Sequence, residues 1–163
     1  MQDQAVIIRE MAEADLPGNH QLQHLQMQYH LDWLGPIDYE WIDSEACTQR
    51  TRNFIENDDH LAIVAEQGEN PVGFLLGKIA PNHPTSMNKM IGELCSLFVH
   101  EDVRGLGVGR QLCERFNSFC ADQGIGLIVV EAASSNFPTH EFYHRLGYKD
   151  YSVTMRLQIP DDD

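Results

Sequence analysis

A strand that runs directly into a glycine-rich turn and then into a helix constrains this chain more than any other feature. The segment reads Leu-Phe-Val-His-Glu-Asp-Val-Arg-Gly-Leu-Gly-Val-Gly-Arg-Gln-Leu over residues 97–112. Glycines at Gly105, Gly107 and Gly109 permit a tight turn, and the first N–H groups of the following helix have no partner inside that helix. Such groups bind phosphates together with the positive end of the helix dipole. The segment therefore predicts an anion site at the end of a strand.

Turn residues and hydrophobic periodicity predict a mixed α/β domain around this segment, with helices on both faces of a central sheet. The turn at residues 68–70 predicts a hairpin between two strands. The predicted strands are 6–9, 60–66, 71–80, 90–99, 127–131, 148–150 and 153–159. The predicted helices are about 14–34, 39–57, 107–123 and 138–146. A chain of 163 residues suits one domain, predicted to span 1–163.

Composition narrows the possible partners. The formal net charge is −14, which argues against nucleic acid because phosphates are neutralised by Lys and Arg. It favours cationic partners, although an acidic surface also serves solubility alone. The N-terminus lacks a signal-peptide pattern and no stretch is long enough to span a bilayer, so a cytoplasmic protein without a membrane partner is expected. The four cysteines have no C-x-x-C spacing, and buried free thiols are predicted.

The glycine turn matches one phosphate-binding pattern and fails two others. A P-loop needs Lys and then Ser or Thr where the chain has Arg110 and Gln111, and the dinucleotide fingerprint needs a glycine at Arg110. The pattern that fits is Arg-x-x-Gly-x-Gly over residues 104–109, after a strand ending in Leu-Phe-Val. Asn136 follows the next strand, and residues 142–148 then read Phe-Tyr-His-Arg-Leu-Gly-Tyr. In both segments the chain resembles the GNAT superfamily of acyl-CoA-dependent N-acyltransferases.

The resemblance implies a fold and a co-substrate. The implied fold is GNAT-like, with a mostly antiparallel sheet and a V-shaped splay between the two central strands, and the implied acyl-CoA core covers residues 90–150. The implied co-substrate is acetyl-CoA, with an amine acceptor and no metal. Homodimers are frequent in the superfamily, so a homodimer is possible. The residues implied to bind the co-substrate are Leu97, Phe98, Val99, Arg104, Gly105, Leu106, Gly107, Val108, Gly109, Arg110, Asn136 and Tyr143.

Two catalytic residues follow from the same resemblance. Tyr143 corresponds to the general acid that protonates the coenzyme A thiolate. Glu93 corresponds to the catalytic glutamate of histone acetyltransferases on this strand, although a simple strand-edge carboxylate and a water base remain alternatives. In a regular strand Glu93 shares one face with Cys95, Leu97 and Val99, and a bulge would alter this.

The pentapeptide His-Glu-Phe-Tyr-His at 140–144 matches the zinc protease motif H-E-x-x-H. It lies inside the second GNAT-like segment, and only 19 residues follow His144 to supply a third ligand. A zinc hydrolase is therefore a remote alternative. His20 and His24 are also four residues apart, but without a third ligand in pattern they are interpreted as helix surface.

The predicted function is an acetyl-CoA-dependent N-acetyltransferase for a primary amine. The acceptor is expected to be a cationic small molecule or a lysine or N-terminal amine, because acidic residues are frequent in the N-terminal half. The carboxylates that motivate this are Asp32, Asp38, Glu40, Asp43 and Glu45. A non-catalytic acyl-CoA sensor is the alternative.

Overall fold

Five strands form one mixed sheet in the computed structural model, which describes residues 5–159. The sheet order follows the chain order: β1 (Val6–Glu10), β2 (His60–Gln67), β3 (Asn70–Pro81), β4 (Met90–Val99) and β5 (Ile128–Val130). Neighbours from β1 to β4 are antiparallel, whereas β5 is parallel to β4. The prediction of a mixed, mostly antiparallel sheet is confirmed.

The chain divides after Glu131 into two compact units. The first contains the sheet with α1 (Leu16–Leu34), α2 (Tyr39–Ile42), α3 (Glu45–Glu56) and α4 (Val108–Asp122). The second contains α5 (Phe137–Arg145). That residues 1–163 form a single domain stays a prediction.

The predicted helix over 39–57 is two helices, so this prediction was wrong at its centre. The break falls at Asp43 and Ser44, where Ser44 adopts an extended conformation and its hydroxyl accepts a hydrogen bond from the N–H of Cys47. A serine that caps the next helix satisfies that helix's first N–H groups better than helix continuation would. Asp38 caps α2 in the same way, by accepting from the N–H of Trp41.

Helices cover both faces of the sheet. On one face, Leu22 of α1 and Phe54 of α3 pack in a buried cluster with side chains of β2, β3 and β4. On the other face, α4 approaches so closely that a Cβ at Gly77 would lie 2.4 Å from the Phe116 ring. A Cβ at Gly92 would lie 2.5 Å from the sulfur of Cys120. Real Cβ contacts are never this short, so α4 can pack here only because both positions are glycine.

Strands β4 and β5 separate partway along their length. They pair only where Gly92–Leu94 lies beside Ile128–Val130, and β4 then continues alone on that side to Val99. On its other side β4 stays paired with β3, but the register shifts so that Cys95 is an extra residue between Leu94 and Ser96. The predicted V-shaped splay is confirmed, and a β-bulge lies where it opens.

The predicted strands at 148–150 and 153–159 are absent from the described chain, which has no regular structure from Tyr148 to Ile159. The alternating apolar side chains that predicted the second strand are all exposed, namely Tyr151, Val153, Met155, Leu157 and Ile159. Alternation indicates a strand only where a neighbouring strand accepts and donates the backbone hydrogen bonds, and the described segment has none.

Two further findings bear on composition. All four cysteines lie within the described residues and are free thiols, and three of them are buried, as predicted. Within residues 5–159, no helix is long and apolar enough to cross a membrane.

Candidate active site

The glycine turn leads from β4 into the N-terminus of α4. Gly105 and Gly107 have φ of 80° and 81°, in the left-handed region that side chains other than glycine rarely adopt. Gly107 is the N-cap of α4, and within the described chain no side chain caps this helix. The first-turn N–H groups therefore point outward at the positive end of a helix of 15 residues. The turn thus has the geometry that an anion site needs, and anion binding here stays a prediction.

Arg104 holds the turn against the end of β4. Its Nε donates to the carbonyl of Val99 at 2.9 Å, and its guanidinium lies over the rings of Tyr29 and Phe98 at 5.1 and 5.7 Å. A role in phosphate binding stays a prediction, because these contacts give Arg104 a structural role already. Arg110, also predicted to bind the co-substrate, is exposed and pairs with Glu114 at 2.8 Å.

The bulge at Cys95 changes which side chains share a face of β4. Leu97 pairs with Leu75 and Val99 with Gly73, which face α4, whereas Glu93 and Cys95 line a cavity on the other face. Glu93, Cys95, Leu97 and Val99 were expected to share one face only in a regular strand. The bulge adds one residue and inverts the alternation, so these four side chains lie on two faces.

The remaining predicted residues divide between core and surface. Phe98 is buried in the core cluster and Val108 is buried at the start of α4, so both would offer the co-substrate only their backbone groups. Leu106 is exposed at the tip of the turn.

Gln26 of α1 contacts the splayed part of β4, a contact that no pattern in the sequence indicates. Its Nε2 donates to the carbonyl of Leu97 at 3.1 Å, and its Oε1 accepts from the hydroxyl of Ser96 at 3.0 Å. Gln26 is buried, so these bonds satisfy both ends of its amide. The stretch of β4 that is implied to bind the co-substrate is thus held from the helix side as well.

Two cavities adjoin Cys95 on the face of the sheet that carries α1 and α3. The first has a volume of about 380 Å³ and is lined by Arg50, Asn53, Phe54, His60, Lys78, Glu93 and Cys95. The second, also about 380 Å³, is lined by Gln23, Gln26, Met27, His30, Trp41, Ile42, Cys47, Arg50, Cys95 and Ser96. Arg50 and Cys95 line both, so the two cavities meet at these residues.

The charged lining of the cavities is more basic than the chain as a whole. Glu93 pairs with Lys78 at 3.4 Å, and both side chains are partly exposed. Arg50 has no ion pair among the described residues, and its guanidinium lies 5.5 Å from the centre of the Phe54 ring. Arg50 is therefore an available cation in a cavity, and sequence reasoning did not identify it.

Burial shifts the pKa of two further groups near the cavities. It raises the pKa of the Cys95 thiol to about 11, with the nearby Glu93 carboxylate adding to the effect. It lowers the pKa of His30, which favours the neutral imidazole. Cys95 is therefore a thiol rather than a thiolate at neutral pH. The neutral imidazole of His30 lies beside the second cavity, and the sequence did not indicate this position.

The acidic residues expected to attract a cationic acceptor lie elsewhere. Within residues 5–159, neither cavity is lined by Asp32, Asp38, Glu40, Asp43 or Glu45. Glu45 approaches Arg52 at 3.4 Å, and Asp43 accepts from His24 at 2.7 Å, which lowers the pKa of Asp43. The expectation of a cationic acceptor is consequently supported by the net charge alone.

Asn136 and Tyr143 lie in the second compact unit. Asn136 is the N-cap of α5, where its Oδ1 accepts from the N–H of Thr139 at 3.2 Å. Tyr143 is buried, and its ring packs against the rings of Phe142 and Tyr148 at 5.0 and 5.2 Å. The catalytic and co-substrate-binding roles of Asn136 and Tyr143 stay predictions.

The zinc-like pentapeptide lies on α5, and Asp150 supplies a third potential ligand that the sequence pattern did not indicate. His144 contacts Asp150 at 2.8 Å, but the Nε2 of His140 lies 3.0 Å from the carbonyl of Ala133. Glu141, the general base of the zinc motif, forms an ion pair with Arg145. Glu141 is thus engaged by Arg145, and the zinc hydrolase stays a remote alternative.

A family model described as acetyltransferase (GNAT) family matches residues 20–148. The uncharacterized N-acetyltransferase MJ1530 of Methanocaldococcus jannaschii is 34% identical over 101 residues, which cover 61% of this chain and 60% of that protein. This chain thus spans less than two thirds of that relative's length.

Solved structures share the fold. A tetramutant of the BH1408 protein from Bacillus halodurans has a TM-score of 0.77 and 22% identity, over 94% of this chain and 99% of that one. The aminoglycoside N-acetyltransferase AAC(6')-Iy, in complex with CoA, has a TM-score of 0.72 and 15% identity over the same shares.

The family match begins in α1 and includes the sheet from β2 to β5, the glycine turn and α5. Because it extends over well more than half of the chain, this protein belongs to the acetyltransferase (GNAT) family.

Proposed function

We propose that this protein is an acetyl-CoA-dependent N-acetyltransferase that acts on a primary amine. The observation that carries the proposal is the uncapped N-terminus of α4, which follows a strand whose edge opens beyond Leu94. The N–H groups of residues 105–110 would bind the pyrophosphate, and the open edge of β4 would pair with the pantetheine arm. Family membership supports the same assignment, and so does the first cavity, which Glu93 lines.

In the proposed reaction, the amine nitrogen attacks the thioester carbonyl, the C–S bond breaks, and coenzyme A leaves as a thiolate that takes a proton. A backbone N–H of β4 would stabilise the oxyanion that forms on the carbonyl oxygen. Glu93 would accept the proton that the amine loses, and Tyr143 would protonate the thiolate. Cys95 is not proposed as a covalent carrier, because a pKa of about 11 leaves its sulfur protonated at neutral pH.

The cavity lining supports a particular acceptor chemistry. Arg50 and Lys78 disfavour a second positive charge nearby, so they would lower the pKa of a bound amine and increase its reactive neutral fraction. The guanidinium of Arg50 also offers a bidentate partner for a carboxylate or another planar anion. We therefore favour an amine whose molecule also carries an anionic group over a polycationic amine.

Other assignments stay open to test. A non-catalytic acyl-CoA sensor would keep the glycine turn without turnover. The cytoplasmic location, the homodimer and the exclusion of nucleic acid, membrane and metal partners stay predictions from the sequence.

Replacing Gly107 with Glu is expected to abolish acetyl-CoA binding. The new carboxylate would lie at the N-cap of α4 and repel the pyrophosphate, so calorimetric titration should show affinity at least about 100-fold weaker. Gly124→Glu is the matched control, because Gly124 also has a positive φ, of 73°, but lies beyond the other end of α4. Equal affinity of the two variants would contradict the proposed phosphate site.

Replacing Glu93 with Gln is expected to make the rate depend on pH in a new way. Near pH 7 the variant should lose roughly 10³-fold in kcat/KM, because an alkyl amine with a pKa near about 10.4 is then almost wholly protonated and lacks a proton acceptor. The loss should shrink about tenfold for each pH unit towards the pKa of the amine. Cys95→Ala should retain activity within a few-fold. A constant ratio of wild type to Glu93→Gln at all pH values would assign deprotonation to water or to His30.

Replacing Tyr143 with Phe is expected to lower kcat by about 100-fold or more while the Kd for acetyl-CoA changes little, because only a proton donor is removed. The control is Tyr148→Phe, which removes a hydroxyl from the ring packed against Tyr143. A wild-type protein that binds acetyl-CoA but releases no coenzyme A thiol with any amine would instead support the sensor.

Replacing Arg50 with Gln is expected to remove a preference for anionic acceptors. The measurement compares KM for an α-amino acid with KM for its amide, so that the two acceptors differ in the carboxylate. Relative to wild type, the preference for the acid should fall by about 10- to 100-fold, the scale of a charged hydrogen bond. Arg52→Gln is the control, since Arg52 lies on the same helix but pairs with Glu13. An unchanged ratio in Arg50→Gln would overturn this acceptor class.

A further inference from the structure

Two histidines and one aspartate converge on the surface of α1. The Nε2 atoms of His20 and His24 lie 3.1 and 2.7 Å from the same oxygen, Oδ1 of Asp43. The three potential ligand atoms all lie within 4.8 Å of one another. The sequence shows only the spacing of the two histidines, because Asp43 reaches them through the tertiary fold.

Local structure fixes the orientation of all three groups. His20 and His24 are four residues apart on a long helix, so their side chains share a face. Their rings meet edge to face with centroids 4.8 Å apart, and Tyr39 stacks against His24 at 5.9 Å and 12°. Asp43 ends α2, where its N–H donates to the carbonyls of Tyr39 and Trp41. The carboxylate is thus presented by a capped helix end rather than by a loose loop.

The geometry points to a binding site for a divalent transition metal such as Zn²⁺, with His20, His24 and Asp43 as its three protein ligands. Imidazole nitrogen and carboxylate oxygen are ligands that Zn²⁺ accepts, and three protein ligands leave a fourth position for water. Tetrahedral bonds of about 2.0–2.1 Å place ligand atoms roughly 3.4 Å apart, so each Nε2–Oδ1 distance needs to open by less than an ångström. The side chains are partly exposed, with 36%, 31% and 58% of their surfaces accessible, which leaves a path for the ion.

The second histidine pair of the chain lacks this convergence. On α5, only the Nε2 of His144 contacts Asp150, whereas the Nε2 of His140 lies 3.0 Å from the Ala133 carbonyl. In both groups a ring N–H that donates to an oxygen loses its proton when a metal binds, so the groups differ in where their nitrogens converge and not in protonation. The α5 group therefore has the same composition and helical spacing but a poorer ligand set, and it provides a matched control.

A metal at this site would be held by residues next to those that line the second cavity. Asp43 directly follows Trp41 and Ile42, and His24 directly follows Gln23, all three of which line that cavity. Metal ligation would join α1 to the junction of α2 and α3. Metal binding itself does not depend on the proposed acetyltransferase activity, so the two are tested separately.

The test is a calorimetric titration of ZnCl₂ into the full chain, freed of any polyhistidine tag and stripped of metal with a chelator. Wild type is expected to bind one Zn²⁺ per chain with micromolar affinity. His24→Gln and Asp43→Asn should each weaken binding at least about tenfold, whereas His144→Gln should bind as wild type does. Co²⁺ should give the visible absorption of a tetrahedral site in wild type and His144→Gln only.

Thermal unfolding supplies a second readout that does not need turnover. Zn²⁺ at a hundredfold excess over Kd should raise the Tm of wild type by about 5–10 °C and leave that of Asp43→Asn unchanged. Asp43→Asn is nearly isosteric and exposed, and an unchanged Tm without metal confirms that it folds. The proposal is overturned if wild type binds no Zn²⁺, if His24→Gln binds with unchanged affinity, or if binding is lost in His144→Gln instead.

Discussion

Helix α4 packs closely against the sheet at Gly77 and Gly92, and the position of the candidate phosphate site depends on this contact. Phe116 and Cys120 occupy the space that side chains at Gly77 and Gly92 would fill. Gly92 is also where β4 is still paired with β5, so α4 is fixed where the sheet is intact and its N-terminus lies beyond the splay. A helix dipole acts only over its terminal turn, which makes this placement decisive for an anion held there.

The bulge at Cys95 has a comparable effect on the other face of the sheet. By adding one residue to β4, it lets Glu93 and Cys95 face the cavities while Phe98 returns to the core. The same extra residue directs Leu97 and Val99 towards α4, where their backbone groups remain at the open edge. Strand β4 thus adjoins both cavities at Cys95, and Arg50 also lines both of them. A net charge of −14 is compatible with a basic cavity, because acidic residues such as Glu45 and Asp43 are neutralised or exposed elsewhere.

The sequence predicted those features that depend on interactions between residues close together in the chain. The glycine turn, the strands from β1 to β4 and the long helices depend on neighbours within a few residues, and their pattern is visible in the chain. Arg50, Gln26 and His30 gave no signal, because their roles come from contacts with strands or cavities distant in sequence. The alternation of apolar residues from Tyr151 to Ile159 predicted a strand wrongly for the same reason. A strand requires a neighbouring strand, and the pattern carries no information about that neighbour.

The two histidine pairs show how little helical spacing alone determines. His20–His24 and His140–His144 have the same separation, and each lies beside an aspartate contributed by a later turn. What differs is one hydrogen bond, because the Ala133 carbonyl engages the Nε2 of His140 whereas both Nε2 atoms of the first pair reach a single carboxylate oxygen. The proposed metal site therefore lies on the pair without any motif, and not on the pair inside the recognisable zinc motif. The difference is decided by whether the rest of the fold brings one carboxylate to both nitrogens.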